Sequence, residues 1–144
     1  MHFSTATAAG LPTLATTALA GTANVVNQCK ENVFLTITTG NQQTTTRQIA
    51  GSGGRYSAPV SGQGNSWGVT KKSDYYSAST PKLIWGFSDA PPTLYYTVSQ
   101  VNGDAFAGQS FKLSASDAKC GTVSGYDGRT RTCADSNSFT LQLC

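Results

Sequence analysis

Four cysteines, Cys29, Cys120, Cys133 and Cys144, follow an apolar leader that holds the single histidine, His2. Phe3 to Ala20 carries no charge and ends Ala18-Leu19-Ala20, with small residues at the third and first positions before Gly21, the pattern signal peptidase accepts. No Lys or Arg precedes the apolar run, and Pro12 interrupts it. The run is Thr-rich and too short to cross a bilayer, so residues 1–20 read as a cleaved signal peptide and 21–144 as the mature domain. Export to an oxidising compartment makes disulfides the expected state of the even cysteine set. Of the three pairings, Cys29–Cys144 with Cys120–Cys133 is favoured, because it ties the first strand to the last and closes a local loop. On the chain-entropy view the long closure stabilises by roughly 4 to 5 kcal/mol and the short one by roughly 3. Zinc fits poorly, since no two cysteines form a C-x-x-C pair and no histidine remains after the leader.

The missing histidine also excludes Ser-His-Asp and Cys-His nucleophile systems and imidazole metal sites. No cofactor is expected. Only carboxylate chemistry, chiefly that of glycosidases, stays open to such a chain. Charged residues make up 12% of the sequence and its net charge is +3, with no basic run longer than Lys71-Lys72. That is no basic stripe, so nucleic acid is not an expected partner. No stretch beyond the leader is apolar enough for a membrane span. No Asn-x-Ser/Thr sequon occurs after the leader.

Period-two alternation dominates. Val33, Leu35 and Ile37 alternate with Phe34, Thr36 and Thr38, which predicts a strand with a polar partner face. Further strands are expected at Thr22–Val26, Arg55–Val60, Trp67–Thr70, Lys82–Phe87, Thr93–Val101, Gln109–Leu113 and Phe139–Leu143. Gly51-Ser52-Gly53-Gly54, Ser61-Gly62-Gln63-Gly64, Pro91-Pro92 and Asn102-Gly103-Asp104 supply the turns. No helical period persists, so the fold class is all-β, a sandwich or barrel in one domain.

Several segments carry a family resemblance. Ala23-Asn24-Val25-Val26-Asn27-Gln28-Cys29 is similar to the opening strand of thaumatin-like proteins. Ser66-Trp67-Gly68-Val69-Thr70 resembles their Trp-Gly-Arg-Thr strand, and Tyr96-Thr97-Val98-Ser99-Gln100-Val101-Asn102-Gly103 their Tyr-Asp-Val-Ser-x-Val-Asp-Gly segment. Val101-Asn102-Gly103-Asp104-Ala105-Phe106 matches more closely the small fungal branch, the yeast-phase-specific protein domain family. The resemblance covers Gly21 to Cys144. It implies a secreted fungal sandwich of two antiparallel sheets, with the first cysteine bonded to the last. Plant thaumatin-like proteins carry an acidic cleft of one Arg, one Glu and three Asp. Here the Arg position falls on Val69, the Glu near Trp85 and two of the Asp on Thr97 and Asn102. Glycoside hydrolysis needs two carboxylates roughly 5 to 10 Å apart, so the resemblance does not carry an activity with it.

The candidate binding residues are Tyr75, Tyr76, Trp85, Tyr96 and Asp104. Tyr75 and Tyr76 lie in the most polar segment that also carries rings, Lys71 to Ser77. Exposed rings stack on sugars or anchor a protein partner. Trp85 and Tyr96 sit on strands, where core packing is the plainer role, and alternation sends Tyr95 and Tyr96 to opposite faces. Asp104 is the best loop carboxylate, with a turn-forming role as its simpler explanation; Asp89, before Ala90-Pro91-Pro92, reads as another turn former. Three functions follow: a monomeric, non-catalytic protein acting at the cell surface or on a host protein; a module binding cell-wall β-glucan or chitin; and, last, a vestigial hydrolase using Asp104. The secreted protein is expected to begin at Gly21 with no free thiol. Intact mass should rise by two hydrogens for each of two disulfides on reduction, and a free thiol in folded material would contradict the pairing.

Overall fold

A computed structural model describes residues 20–144. The expected leader, Ala20 excepted, lies outside the described residues. Eleven strands form two sheets: β1 (Thr22–Asn27), β2 (Val33–Thr38), β3 (Thr44–Ile49), β4 (Gly54–Pro59), β5 (Asn65–Thr70), β6 (Lys82–Ala90), β7 (Thr93–Val101), β8 (Phe111–Ala115), β9 (Thr122–Val123), β10 (Arg131–Ala134) and β11 (Phe139–Leu143). One sheet has the order β4-β1-β11-β8-β9 and the other β10-β7-β6-β5-β2-β3. Every pairing is antiparallel except that of β1 with β11.

Alternation sends one set of side chains from each sheet into a common core. Ala23, Val25, Phe139, Leu141 and Leu143 face Val33, Leu35, Val69, Leu83, Trp85 and Val98, all fully buried. Edge-on aromatic contacts join Tyr56, Trp85 and Phe87 to Trp67 at 5.5, 5.3 and 5.5 Å. Such pairs add about 0.5–1.5 kcal/mol each beyond the area they bury.

Three strands have no apolar signature in the sequence. β3 is an edge strand, exposed along its length except at Ile49, so its Thr and Arg residues carry no alternation to read. β9 and β10 are short and also lie at sheet edges. Strand β6, in contrast, runs past the expected end at Phe87. Its inward positions continue Leu83, Trp85, Phe87, Asp89, and Asp89 is a buried strand residue rather than a turn former.

Both favoured disulfides are present: Cys29–Cys144 spans 115 residues and Cys120–Cys133 spans 13. The first is placed by Asn27, which is fully buried. Its amide donates to the carbonyls of Glu31, Ile49 and Ala50, and its oxygen accepts from the Cys29 backbone N–H at 3.0 Å. An aliphatic residue there would leave buried backbone groups unpaired. Replacing Cys29 and Cys144 together by serine is expected to cost about 5 kcal/mol, against about 3 for Cys120 and Cys133. Thermal melts of the two double variants test that ranking, and the reverse order would refute it.

Candidate functional site

The two middle rows on the outer face of the six-stranded sheet are built almost wholly from neutral small side chains. Strand register sets Thr97, Gly86, Ser66, Thr38 and Thr44 in one row, and Ser99, Ile84, Gly68, Thr36 and Thr46 in the next. Hydroxyl pairs bridge β2 and β3, Thr36 to Thr46 at 3.0 Å and Thr38 to Thr44 at 3.3 Å. Neither row carries a carboxylate.

The loop from Lys71 to Pro81 folds back over the face. A Cβ at Gly68 would stand 2.3 Å from the Tyr75 ring, so glycine is what allows Tyr75 to lie against β5. Lys82 holds the loop from beneath. Its buried ammonium donates to the carbonyls of Ser77 at 3.1 Å and Thr80 at 2.8 Å, and sits 5.4 Å from the Tyr75 ring centre. Burial pushes the Tyr75 phenol up, opposed by a hydrogen bond with Ser66. Tyr76 stands edge-on to Tyr75, ring centres 5.1 Å apart at 89°, and is 77% exposed.

Asp104 comes close to this loop. With Lys71, Lys72, Thr80, Pro81 and Ala105 it lines a small cavity of about 180 Å³. Its Oδ1 is already engaged, accepting from the Phe106 backbone N–H at 2.8 Å and the Tyr126 hydroxyl at 2.7 Å. Burial first, then the Asp104 carboxylate, keep the Tyr126 phenol well above its ordinary range, so it stays a hydrogen-bond donor. Asp104 therefore shapes the turn, whatever it meets outside.

Two sequence candidates are not surface residues. Trp85 is completely buried between Trp67 and Phe87, and its indole N–H finds no partner. Tyr96 is 3% exposed, packs on Phe139 at 5.6 Å and directs its hydroxyl to the Cys120 carbonyl. Neither has a free ring face, because both point into the sandwich. The outward member of the Tyr95-Tyr96 pair is Tyr95, 45% exposed. Sequence alternation separated these two rings without saying which faced in.

The cleft positions assigned to Val69 and Trp85 need the same correction. Both side chains face the core, so a surface cleft would use their outward neighbours, Gly68 or Thr70 and Ile84 or Gly86. A one-residue offset in a strand moves a side chain to the other face. Thr97 does lie on the outer face, and Asn102 lies in an exposed turn at φ 59°. None of these residues is acidic.

Among the described residues no group of three His, Cys, Asp or Glu could hold a metal ion. No described helix is long and apolar enough to cross a membrane. The one ion pair among them, Arg131 with Asp127 at 2.6 Å, sits away from the sheet face and holds the Asp127 carboxyl well below the usual range.

Two packed sheets, a parallel pairing of first and last strands and a first-to-last disulfide define a thaumatin-like β-sandwich. The chain belongs to the Bys1 family, described as Blastomyces yeast-phase-specific protein, whose model matches residues 10–144. Among solved structures it is similar to the protein elicitor MoHrip2 from Magnaporthe oryzae, with a TM-score of 0.70 and 21% identity over 87% of this chain and 99% of that one. It is also similar to the thaumatin-like xylanase inhibitor TLXI, with a TM-score of 0.57 and 11% identity over 85% and 98% of the two chains. At these identities the likenesses show the fold. A comparison with curated proteins gave no match.

Gly68→Ala is expected to displace Tyr75 and with it Tyr76, lowering stability by about 1–3 kcal/mol through overpacking. A melt combined with near-ultraviolet circular dichroism checks this. An unchanged tyrosine signal would show that the ring does not rest on Gly68.

Proposed function

We propose that the protein is a secreted, non-catalytic recognition protein that acts at the cell surface or in contact with a host. The carrying observation is the neutral outer face capped by Tyr76, a large ring held in the open by a loop that Lys82 and Gly68 fix from below. A fixed aromatic anchor beside a small-residue face is the arrangement of a protein-binding patch. The elicitor and inhibitor names of the two structural neighbours are in keeping with this reading.

A cell-wall polysaccharide is the second reading, favoured by the hydroxyl rows of Thr and Ser on the same face. Against it, Tyr75 and Tyr76 stand perpendicular, and a sugar chain stacks best on coplanar rings. Hydrolysis has the least support. The facing carboxylates of Asp89 and Asp135 are 9% and 8% exposed, too enclosed to admit a glycosidic bond.

Retention of the oxidised protein on immobilised host surface proteins, and on insoluble glucan, chitin and cellulose, separates the first two readings. Tyr76→Ala is expected to reduce protein retention at least tenfold, with little retention on polysaccharide in either form and no reducing sugar released from linear β-1,3-glucan. Polysaccharide retention that Tyr76→Ala abolishes would replace the first reading by the second. Sugar release lost in Asp104→Asn would establish the hydrolase.

A further inference from the structure

At one end of the sandwich two buried aspartates meet without a cation. Asp89 closes the inward row of β6, and Asp135 follows β10, its backbone N–H donating to the Pro92 carbonyl at 3.0 Å. Asp89 Oδ1 is buried and has no hydrogen-bond partner. Around Asp89 stand the Gly62 carbonyl, which accepts its backbone N–H at 2.9 Å, Leu94 opposite it on β7, and Asp135 just after β10. From all of these, Asp135 is the titratable group that faces it. Two like charges in a desolvated site need a shared proton or a counter-ion.

The same end holds Gly21. Its nitrogen donates to the Asp135 carbonyl at 2.8 Å, and its carbonyl accepts from Val60. A Cβ at Gly21 would lie 1.7 Å from the Asn137 carbonyl oxygen and 2.7 Å from that of Asp135. Gly21 is therefore packed against these two backbone carbonyls and buried, while Ala20 is exposed. Covalent geometry keeps the Asp135 carboxylate within about 8 Å of that nitrogen.

We propose that cleavage of the Ala20–Gly21 bond turns the Gly21 nitrogen into an α-ammonium group that serves as the internal counter-ion of the Asp89–Asp135 pair. Cleavage is a hydrolysis by a secretory-pathway peptidase. Water's hydroxyl goes to the Ala20 carbonyl, the C–N bond breaks, and the two products leave as a carboxylate on the leader and an ammonium on Gly21. The carboxylate departs and the positive charge stays, already hydrogen-bonded to the residue that carries one of the two buried acids. Removal of the leader thus completes the electrostatics of the fold. Burial, then the facing Asp135 carboxylate, push the Asp89 carboxyl up while that charge is missing.

The sign follows from linkage. An α-amino group has an ordinary value near 7.7–8.0, and pairing raises it in the folded state. Its contribution is fully present below about pH 8 and fades as pH rises through the raised folded value. At the acid end it is lost once Asp89, whose carboxyl is pushed up, takes up its proton.

The test compares three secreted proteins made from the full chain. One is the natural sequence. One has a glutamine inserted before Gly21, so that the new end cyclises to neutral pyroglutamate. One has an alanine inserted there, which keeps the charge but moves it outward. Carboxyl carbon shifts of Asp89 and Asp135 are followed by NMR from pH 2 to 9, alongside melts. The natural end should lower the Asp89 midpoint by about one pH unit or more, tenfold in its proton affinity, relative to the pyroglutamate end. It should also raise the melting temperature at pH 6 by about 4 °C or more, with the alanine form intermediate. Asp89→Asn should erase the difference between ends. Identical Asp89 titrations in the natural and pyroglutamate forms would overturn the proposal. So would a calcium-dependent rise in melting temperature equal in both, which would make the pair a metal site, or processing at a bond other than Ala20–Gly21.

Discussion

The parallel pairing of β1 with β11 joins the two extremes of the chain in the middle of one sheet, with Ala23 opposite Phe139 and Asn27 opposite Leu143. Each of these strands has one further neighbour, β4 for β1 and β8 for β11, so the five-stranded sheet exists only when the ends meet. Closing so long a loop carries a large conformational entropy cost. The Cys29–Cys144 bond removes much of that cost from the unfolded side. Asn27 serves the same junction, satisfying three carbonyls and the Cys29 N–H at the exit of β1. The inward residues of β1 and β11 also floor the core against which the six-stranded sheet packs. Without that pairing the second sheet would have half a partner.

The outer face of the six-stranded sheet is not part of the core between the sheets. Here two glycines, Gly68 and Gly86, lower its floor, and one of them accepts the Tyr75 ring. The backbone loop that carries Tyr75 is then held by a buried lysine whose ammonium is spent on loop carbonyls rather than on a carboxylate. The result is an aromatic projection, Tyr76, beside a sheet face whose two middle rows carry no charge. Acidic groups are not absent from the protein, but the two that face each other are shut inside the opposite end of the same strands.

Alternation and turn residues made the principal strands legible, because a half-buried strand must repeat every two residues. The polar edge strands β3, β9 and β10 escaped, since an edge exposed on most sides places little demand on residue type. Tyr75 and Tyr76 could be marked from a polar segment bearing rings. Trp85 and Tyr96 could not be sorted from Tyr95 by sequence, because period two gives opposite faces but not which face is inside. That choice is made only when a second sheet covers one side.

The strand period pointed to the all-β class, and the even cysteine set to disulfides, whose favoured pairing the fold bears out. These are properties of residue type and local spacing. Tertiary structure alone decided which rings are exposed, that Gly68 is a seat for Tyr75, and that Asp89, Asp135 and Gly21 share one buried corner. Those three residues are separated by tens of positions in the chain and come together through strand pairing across both sheets. No local pattern encodes that meeting, because the forces that create it act between elements rather than along them.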